Sequence, residues 1–338
     1  MKQLQLCLLG GLTMLLAGVA DSGNVPVTDD YASPVLDWWG GFRRYSGPRQ
    51  FESAIQRVEE NQKFVPTGEL RARKSFRNYV VKIYGHGYGI YDDGGSVEIT
   101  RNGKRVFAGH SGRIEIACVD GGEGDTCTTT LIGRDVTGDG IPDLVLTGYS
   151  GGMHCCHSLD FFELGSQFRH IQSVYSDDAH FSRFVNLDAD PALEIEVDDA
   201  SYAYGRVWTG PIFNPIILKF QNGQYRMAGN LMRKPPMTRR ELETLADSAR
   251  AYSYLEDGLR HDMLSLIYTG NARQAWELCA LTWPPDVAGR QAFLTTFVTN
   301  LPKGRYWREL LEMNGREAMR EAIGWLPGEE DIPPSLRE

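Results

Sequence analysis

The stretch Asp135-Val-Thr-Gly-Asp-Gly-Ile-Pro-Asp143, running directly into Leu-Val-Leu-Thr147, constrains the fold more than any other part of the chain. Oxygen-bearing side chains recur at Asp135, Thr137, Asp139 and Asp143, and the carbonyl of Ile141 falls where a backbone ligand is expected. Gly138 and Gly140 stand where the loop must turn sharply, because glycine accepts positive φ without a Cβ clash. A hard cation such as Ca²⁺ takes six to eight oxygens, which carboxylates at alternate residues of a tight loop supply. An EF-hand is excluded: its twelfth position needs a bidentate Glu, and Leu146 stands there within an apolar run. The loop therefore leads into a β-strand. The same residues also suit a hairpin turn held by Asx hydrogen bonds alone.

Asp135 to Val145 resembles the Asp-x-Asx-Gly-Asp-Gly-x-x-Asp-Leu-x-Val signature of FG-GAP/VCBS-type repeats, the calcium-loop-and-strand units of integrin-like β-propellers. Thr137 departs from it, since a neutral ligand replaces the usual Asp or Asn and should weaken the site. A second, eroded copy runs from Asn186 to Ile195, with Asn186, Asp188, Asp190 and Glu194 at matching positions and Ala189 and Pro191 in place of glycines. The copies start about fifty residues apart, a spacing typical of blades or solenoid units. The resemblance covers about residues 130–200 only, and two copies do not close a propeller. It implies units that are structural and adhesive rather than catalytic, with Ca²⁺ as a structural cofactor.

The N-terminus reads as a secretory signal over residues 1–20: Lys2, an apolar run from Leu6 to Leu16, and the small-x-small site Gly18-Val-Ala20. The expectation is an exported chain, periplasmic or extracellular, without stable membrane insertion, because that run is too short to span a bilayer and no other is long enough. A net charge of −9 argues against nucleic acid as a partner. Export permits disulfides, and Cys118, Cys127, Cys155, Cys156 and Cys279 remain after the signal. Cys118 and Cys127 bracket a Gly-rich acidic loop and are candidates to clip it; bridges from either to Cys155 or Cys156, or a vicinal Cys155–Cys156 bond, stay open. Cys279 reads as a buried free thiol on a helix.

Along the chain, residues 21–77 read as an irregular or helical N-terminal segment, with Phe51, Ile55 and Val58 at helical spacing between Arg49 and Gln62. Residues 78–233 switch to period two. The expected strands are 79–84, 96–100, 105–107, 113–119, 128–132, 144–147, 158–164, 192–197, 215–220 and 224–228, with Asn102-Gly103 and Asn222-Gly223 as tight turns. After Lys234-Pro-Pro236, residues 237–323 read as helical, opening on the capping box Thr238-Arg-Arg-Glu241. Further helices are expected at 259–269, 271–283, 287–301 and from Gly304 to Asn314, with Trp276, Trp283, Phe293, Phe297, Tyr306 and Trp307 as core. Residues 324–338 read as a loose tail. The fold expected is α+β: an antiparallel all-β central domain with FG-GAP-like calcium-loop units, followed by a small C-terminal helical bundle.

Three other patterns carry chemistry. Gly148-Tyr-Ser150-Gly-Gly152 matches Gly-x-Ser-x-Gly, but a nucleophile elbow needs a helix straight after the serine, and the following residues read as β. His154-Cys155-Cys156-His157 offers four borderline metal ligands side by side, yet adjacent strand residues face opposite ways and cannot all close on one ion. The pairs Asp92-Asp93, Asp177-Asp178 and Asp198-Asp199 lack the separation that glycoside hydrolysis requires and read as solvated turns. Tyr202, Tyr204 and Trp208 offer a sugar- or peptide-binding face, though a packed sheet face fits them better. The reading that results is an exported, non-enzymatic protein whose calcium-stabilised β-domain presents a protein- or glycan-binding surface. A hydrolase built on Ser150 or an acidic pair, and a metal or redox protein built on His154–His157, are the alternatives.

Overall fold

The computed structural model describes residues 53–86, 94–120, 127–151, 157–177, 182–202, 213–252, 255–284 and 287–321. The signal segment, Asp92-Asp93, Asp178, His154 to Cys156, Tyr204, Trp208 and the tail lie outside these residues. Among the described residues, fourteen strands form three antiparallel sheets, and seven α-helices follow, all but one after residue 238.

The first sheet has the order β1 (Gln56–Arg57), β5 (Lys104–Ser111), β4 (Gly95–Arg101), β3 (Tyr79–Gly85), β2 (Glu69–Phe76). The β4–β5 turn is made as its sequence demands, with Asn102 at φ 49° and Gly103 at φ 77°. The second sheet has the order β10 (Phe168–Asp177), β9 (His157–Leu164), β8 (Asp143–Tyr149), β6 (Arg113–Ile116), with β7 (Ile132–Arg134) also on β8. The third has the order β11 (Ser182–Val185), β12 (Glu194–Asp199), β13 (Asn214–Gln221), β14 (Gln224–Met227).

Successive strand residues face opposite ways, so a continuous apolar run needs both of its faces covered. The middle sheet satisfies this. Leu144, Leu146 and Phe162 belong to a core shared with the first sheet, whereas Val145, Leu159 and Phe161 belong to a second core. That second core continues without a break through Ile195, Ile216 and Leu218 of the third sheet into the helices. The helices are α1 (Gly229–Met232), α2 (Arg239–Arg250), α3 (Leu255–Tyr268), α4 (Ala272–Thr282), α5 (Arg290–Asn300), α6 (Trp307–Asn314) and α7 (Arg316–Arg320). The capping box forms in α2: the Glu241 amide donates to Thr238 Oγ1 (3.3 Å) and the Thr238 amide to Glu241 Oε2 (2.7 Å). Trp276, Trp283, Phe293, Phe297 and Trp307 are buried, and Tyr306 packs against the same core. No described helix is long and apolar enough to cross a membrane.

Three expectations need correction. The helix over 49–62 does not form in its described part; Gln56 and Arg57 pair instead with His110 and Gly109 of β5. Its apolar spacing serves a different purpose: Ile55 plugs a slot made by Gly109 and Gly148, where an added Cβ would lie 2.5 and 2.6 Å from the Ile55 side chain. Residues 128–132 are mostly not strand, since β7 spans Ile132–Arg134 and Thr130 makes only an isolated bridge to Cys118. Strands β2, β10 and β11 were not expected. β2 reads Glu-Leu-Arg-Ala-Arg-Lys-Ser-Phe with little alternation, and bulges at 170/172 and 175/177 break the period of β10.

Cys118 and Cys127 are joined by a disulfide with Cα atoms 5.7 Å apart, which removes the alternative bridges from either to Cys155 or Cys156. Replacing both by serine is expected to cost about 2–3 kcal/mol by loop entropy, read as a lower urea midpoint. Cys279, on α4, is a buried free thiol whose pKa burial raises to about 11.

Candidate metal centre

The first acidic loop joins β7 to β8, which pair at Arg134 and Asp143. Gly138 and Gly140 both have positive φ, at 76° and 86°, so the backbone folds back and turns its amides inward. The carboxylates meet those amides. Asp135 Oδ1 accepts from the Gly138 amide (2.7 Å) and Oδ2 from the Gly140 amide (2.8 Å). Asp139 Oδ1 accepts from the Ile141 amide (2.8 Å). Asp143 Oδ2 accepts three bonds, from the Val136 and Thr137 amides (2.9 and 3.1 Å) and from Thr137 Oγ1 (3.1 Å).

Asp143 is fully buried, and its Oδ1 has no hydrogen-bond partner. Burial raises its pKa to about 7, and the Asp139 charge adds to this, while the Val136 and Thr137 hydrogen bonds pull the other way. A buried, unpartnered carboxylate oxygen is costly unless a cation meets it. Asp135, Thr137, Asp139, the Ile141 carbonyl and Asp143 offer only oxygens, the chemistry a hard cation takes. The carboxylates of Asp135, Asp139 and Asp143 do not converge within 4.8 Å of one another, however, and would have to close on an ion that they hold. An ion here would brace the loop.

The second loop, Asn186 to Leu193, joins β11 to β12 at the matching pair Val185 and Glu194. The likeness extends to the side chains. Glu194 Oε2 accepts from the Leu187 amide (2.7 Å), as Asp143 does from Val136. Asp188 Oδ1 accepts from the Asp190 amide (3.1 Å) and Asp190 Oδ1 from the Ala192 amide (3.0 Å). Asn186, in contrast, turns its amide to the Asp190 carbonyl (2.8 Å).

Among the described residues, the one trio of carboxylates with oxygens converging within 4.8 Å is Asp188, Asp190 and Glu194. A cation already lies among them. Lys219 Nζ contacts Asp188 Oδ2, lies 2.5 Å from Asp190 Oδ2 and 3.8 Å from Glu194 Oε1. Hydrogen bonds that Lys219 donates to Asp188 and Asp190 hold its pKa above its usual range, and the one to Asp188 lowers that of the carboxyl. Sequence reasoning missed Lys219. It lies on another strand, and only the register Ile195↔Leu218 brings it opposite Glu194.

The two loops touch. The Leu193 amide donates to the Val136 carbonyl (2.9 Å), and a Cβ on Gly138 would lie 2.6 Å from the Ala192 nitrogen. Tyr225 Oη, buried beneath both, donates to the carbonyls of Val136 (3.1 Å) and Leu193 (3.3 Å). Burial first, and then the charges of Asp143, Glu194 and Asp135, push its pKa well up. Tyr225→Phe removes this donor, leaving the Val136 carbonyl with the Leu193 amide alone, and is expected to cost about 1–2 kcal/mol, measured by chemical denaturation.

Among the described residues, the other candidates do not come together. Ser150 follows β8, and Tyr149 pairs with His157 of antiparallel β9, so strand is followed by strand within seven residues, where a nucleophile elbow needs a helix straight after the serine; residues 152–156 lie outside those described. Of the His154–His157 set only His157 is described, and its ring stacks on Tyr149 at 4.5 Å. Asp199 is not a solvated turn residue: it is fully buried, accepts from Ser201 N (2.9 Å) and Oγ (2.6 Å), and receives the Tyr268 hydroxyl. Burial raises the pKa of neighbouring Asp198. Tyr202 is tied to the Leu301 carbonyl at 2.6 Å. Set beside family models, curated proteins and solved structures, the chain matches none of them.

Proposed function

We propose that the chain is an exported, non-enzymatic protein in which Ca²⁺, held by Asp135, Thr137, Asp139, the Ile141 carbonyl and Asp143, stabilises a β-domain that presents a binding surface for protein or glycan. The observation that carries this reading is Asp143: a fully buried carboxylate with one oxygen gripped by three donors and the other without a partner. The second loop supports it by contrast. It has the same shape, and its Glu194 Oε1 is likewise buried without a hydrogen-bond partner, but there the Lys219 ammonium lies 3.8 Å away and occupies the place that a cation would fill. On this reading one loop of the pair carries its own cation in Lys219, and the other would take its cation from solution.

At a dissociation constant of ~0.1 mM and ~1 mM calcium, binding adds about 1.4 kcal/mol of stability. The test is a thermal melt in EDTA followed by a calcium titration, with elemental analysis of the dialysed protein. A saturable rise and about one calcium per chain support the reading. An unchanged melt with no bound ion would sink it and leave a hairpin held by Asx hydrogen bonds.

A further inference from the structure

The outer strand of the first sheet, β2, pairs with β3 on one side and with no described strand on the other. Six of its eight residues are exposed: Glu69, Leu70, Arg71, Arg73, Lys74 and Ser75. Between residues 71 and 77 it offers four cations, Arg71, Arg73, Lys74 and Arg77, on a chain whose net charge is −9. None of the four makes an ion pair among the described residues. Arg71 Nε bonds the Gly85 carbonyl (3.3 Å) and Arg77 lies over the Phe76 ring (5.2 Å), whereas Arg73 and Lys74 extend free. Leu70, 52% exposed, adds apolar surface at the same edge. Alongside runs a cleft of about 290 Å³, with Arg71 and Lys74 on its wall and Ile83, Tyr84 and Ile114 among its lining.

We propose that the open edge of β2 docks an extended acidic polypeptide segment, which adds to the sheet as a further strand while Arg71, Arg73 and Lys74 meet its carboxylates. An open strand edge presents alternating N–H and C=O groups, and only another polypeptide backbone matches that pattern along its length. The charge decides which polypeptide. Basic side chains and the bulge between Leu70 and Ala72 repel a second copy of the same edge, the usual protection of an exposed strand. The repulsion that excludes a like-charged strand becomes attraction for an acidic one. A flexible glycan would satisfy the cations and leave the backbone edge unmatched. The inference rests on the binding-protein reading above and names its partner class, but it does not depend on calcium.

The test is selection of a random 12-residue peptide-display library on the immobilised full chain, with Arg71→Glu/Arg73→Glu/Lys74→Glu as the counter-target. The expected winners carry net negative charge with carboxylates at alternate positions. They should bind the triple variant at least about tenfold more weakly and slow hydrogen exchange of the β2 amides. All three residues are exposed, so the variant should melt like the parent; Arg73→Ala/Lys74→Ala serves if it does not. Winners without acidic character, undiminished binding to the variants, protection outside β2, or no winners at all would overturn the proposal. So would equal competition by a 12-nucleotide single strand, which would mark a plain polyanion patch. Non-acidic winners protecting another surface would sink the β2 site and leave the binding-protein reading standing. A failed calcium titration would leave this selection unaffected.

Discussion

In EDTA, the stability gap between the parent chain and Asp143→Asn is expected to change by about 3 kcal/mol between pH 4 and pH 7, with the parent losing ground as pH rises. The folded pKa of Asp143, about 7, stands above the ordinary 3.8. The native state therefore keeps a proton that the unfolded chain releases. Stability from this group is full below pH 4, falls as pH rises, and is gone above pH 7. Asparagine mimics the protonated acid and has nothing to lose over that range.

Calcium should reverse the comparison. It replaces the proton at the unpartnered oxygen, so the parent gains melting temperature, more at pH 8 than at pH 5.5, and Asp143→Asn gains none. Paired urea titrations across pH, with and without calcium, separate the outcomes. Parallel pH curves for the two proteins, or a calcium response surviving in the variant, would exclude Asp143 as the ion's anchor.

Lys219→Met is expected to lower stability by about 2–3 kcal/mol in EDTA and to give the protein a calcium response it lacked at this loop. The methionine keeps most of the apolar stem but removes the ammonium from three carboxylates, one of which, Glu194, is fully buried. The figure is set below that of a wholly buried pair because Asp190 is 40% exposed and partly solvated. The trio would then converge on a space without its cation, which a divalent ion can enter. Calorimetry should count one more calcium per chain than in the parent, with recovery of the lost stability. An unchanged melt would show that the lysine contributes nothing. A loss that calcium does not repair would show that the second loop is no longer an ion loop in any sense.

Much of the local architecture was legible. Asn102-Gly103 could only be a tight turn, Thr238 and Glu241 could cap a helix with no help from elsewhere, and the apolar run from Leu144 announced a strand. Illegible segments were those whose conformation is imposed by a neighbour. Ile55 and Val58 have helical spacing, yet the slot between Gly109 and Gly148 and the edge of β5 claim the segment for a strand. β2 has almost no pattern of its own, and β3 recruits it through backbone hydrogen bonds that any sequence can make.

For the candidate site the division is sharper. Residue order alone determined that Asp135 to Asp143 forms a glycine-turned loop lined with oxygens, and that Asn186 to Glu194 is its eroded likeness, because loop chemistry is set by side chains a few bonds apart. What each loop does with its charge was decided only by tertiary structure. Burial of Asp143 at the start of β8 left an oxygen without a partner, and strand register carried Lys219 onto Asp188, Asp190 and Glu194 from another strand. Burial and register depend on contacts between segments far apart in the chain, and the energy of a charge depends on both.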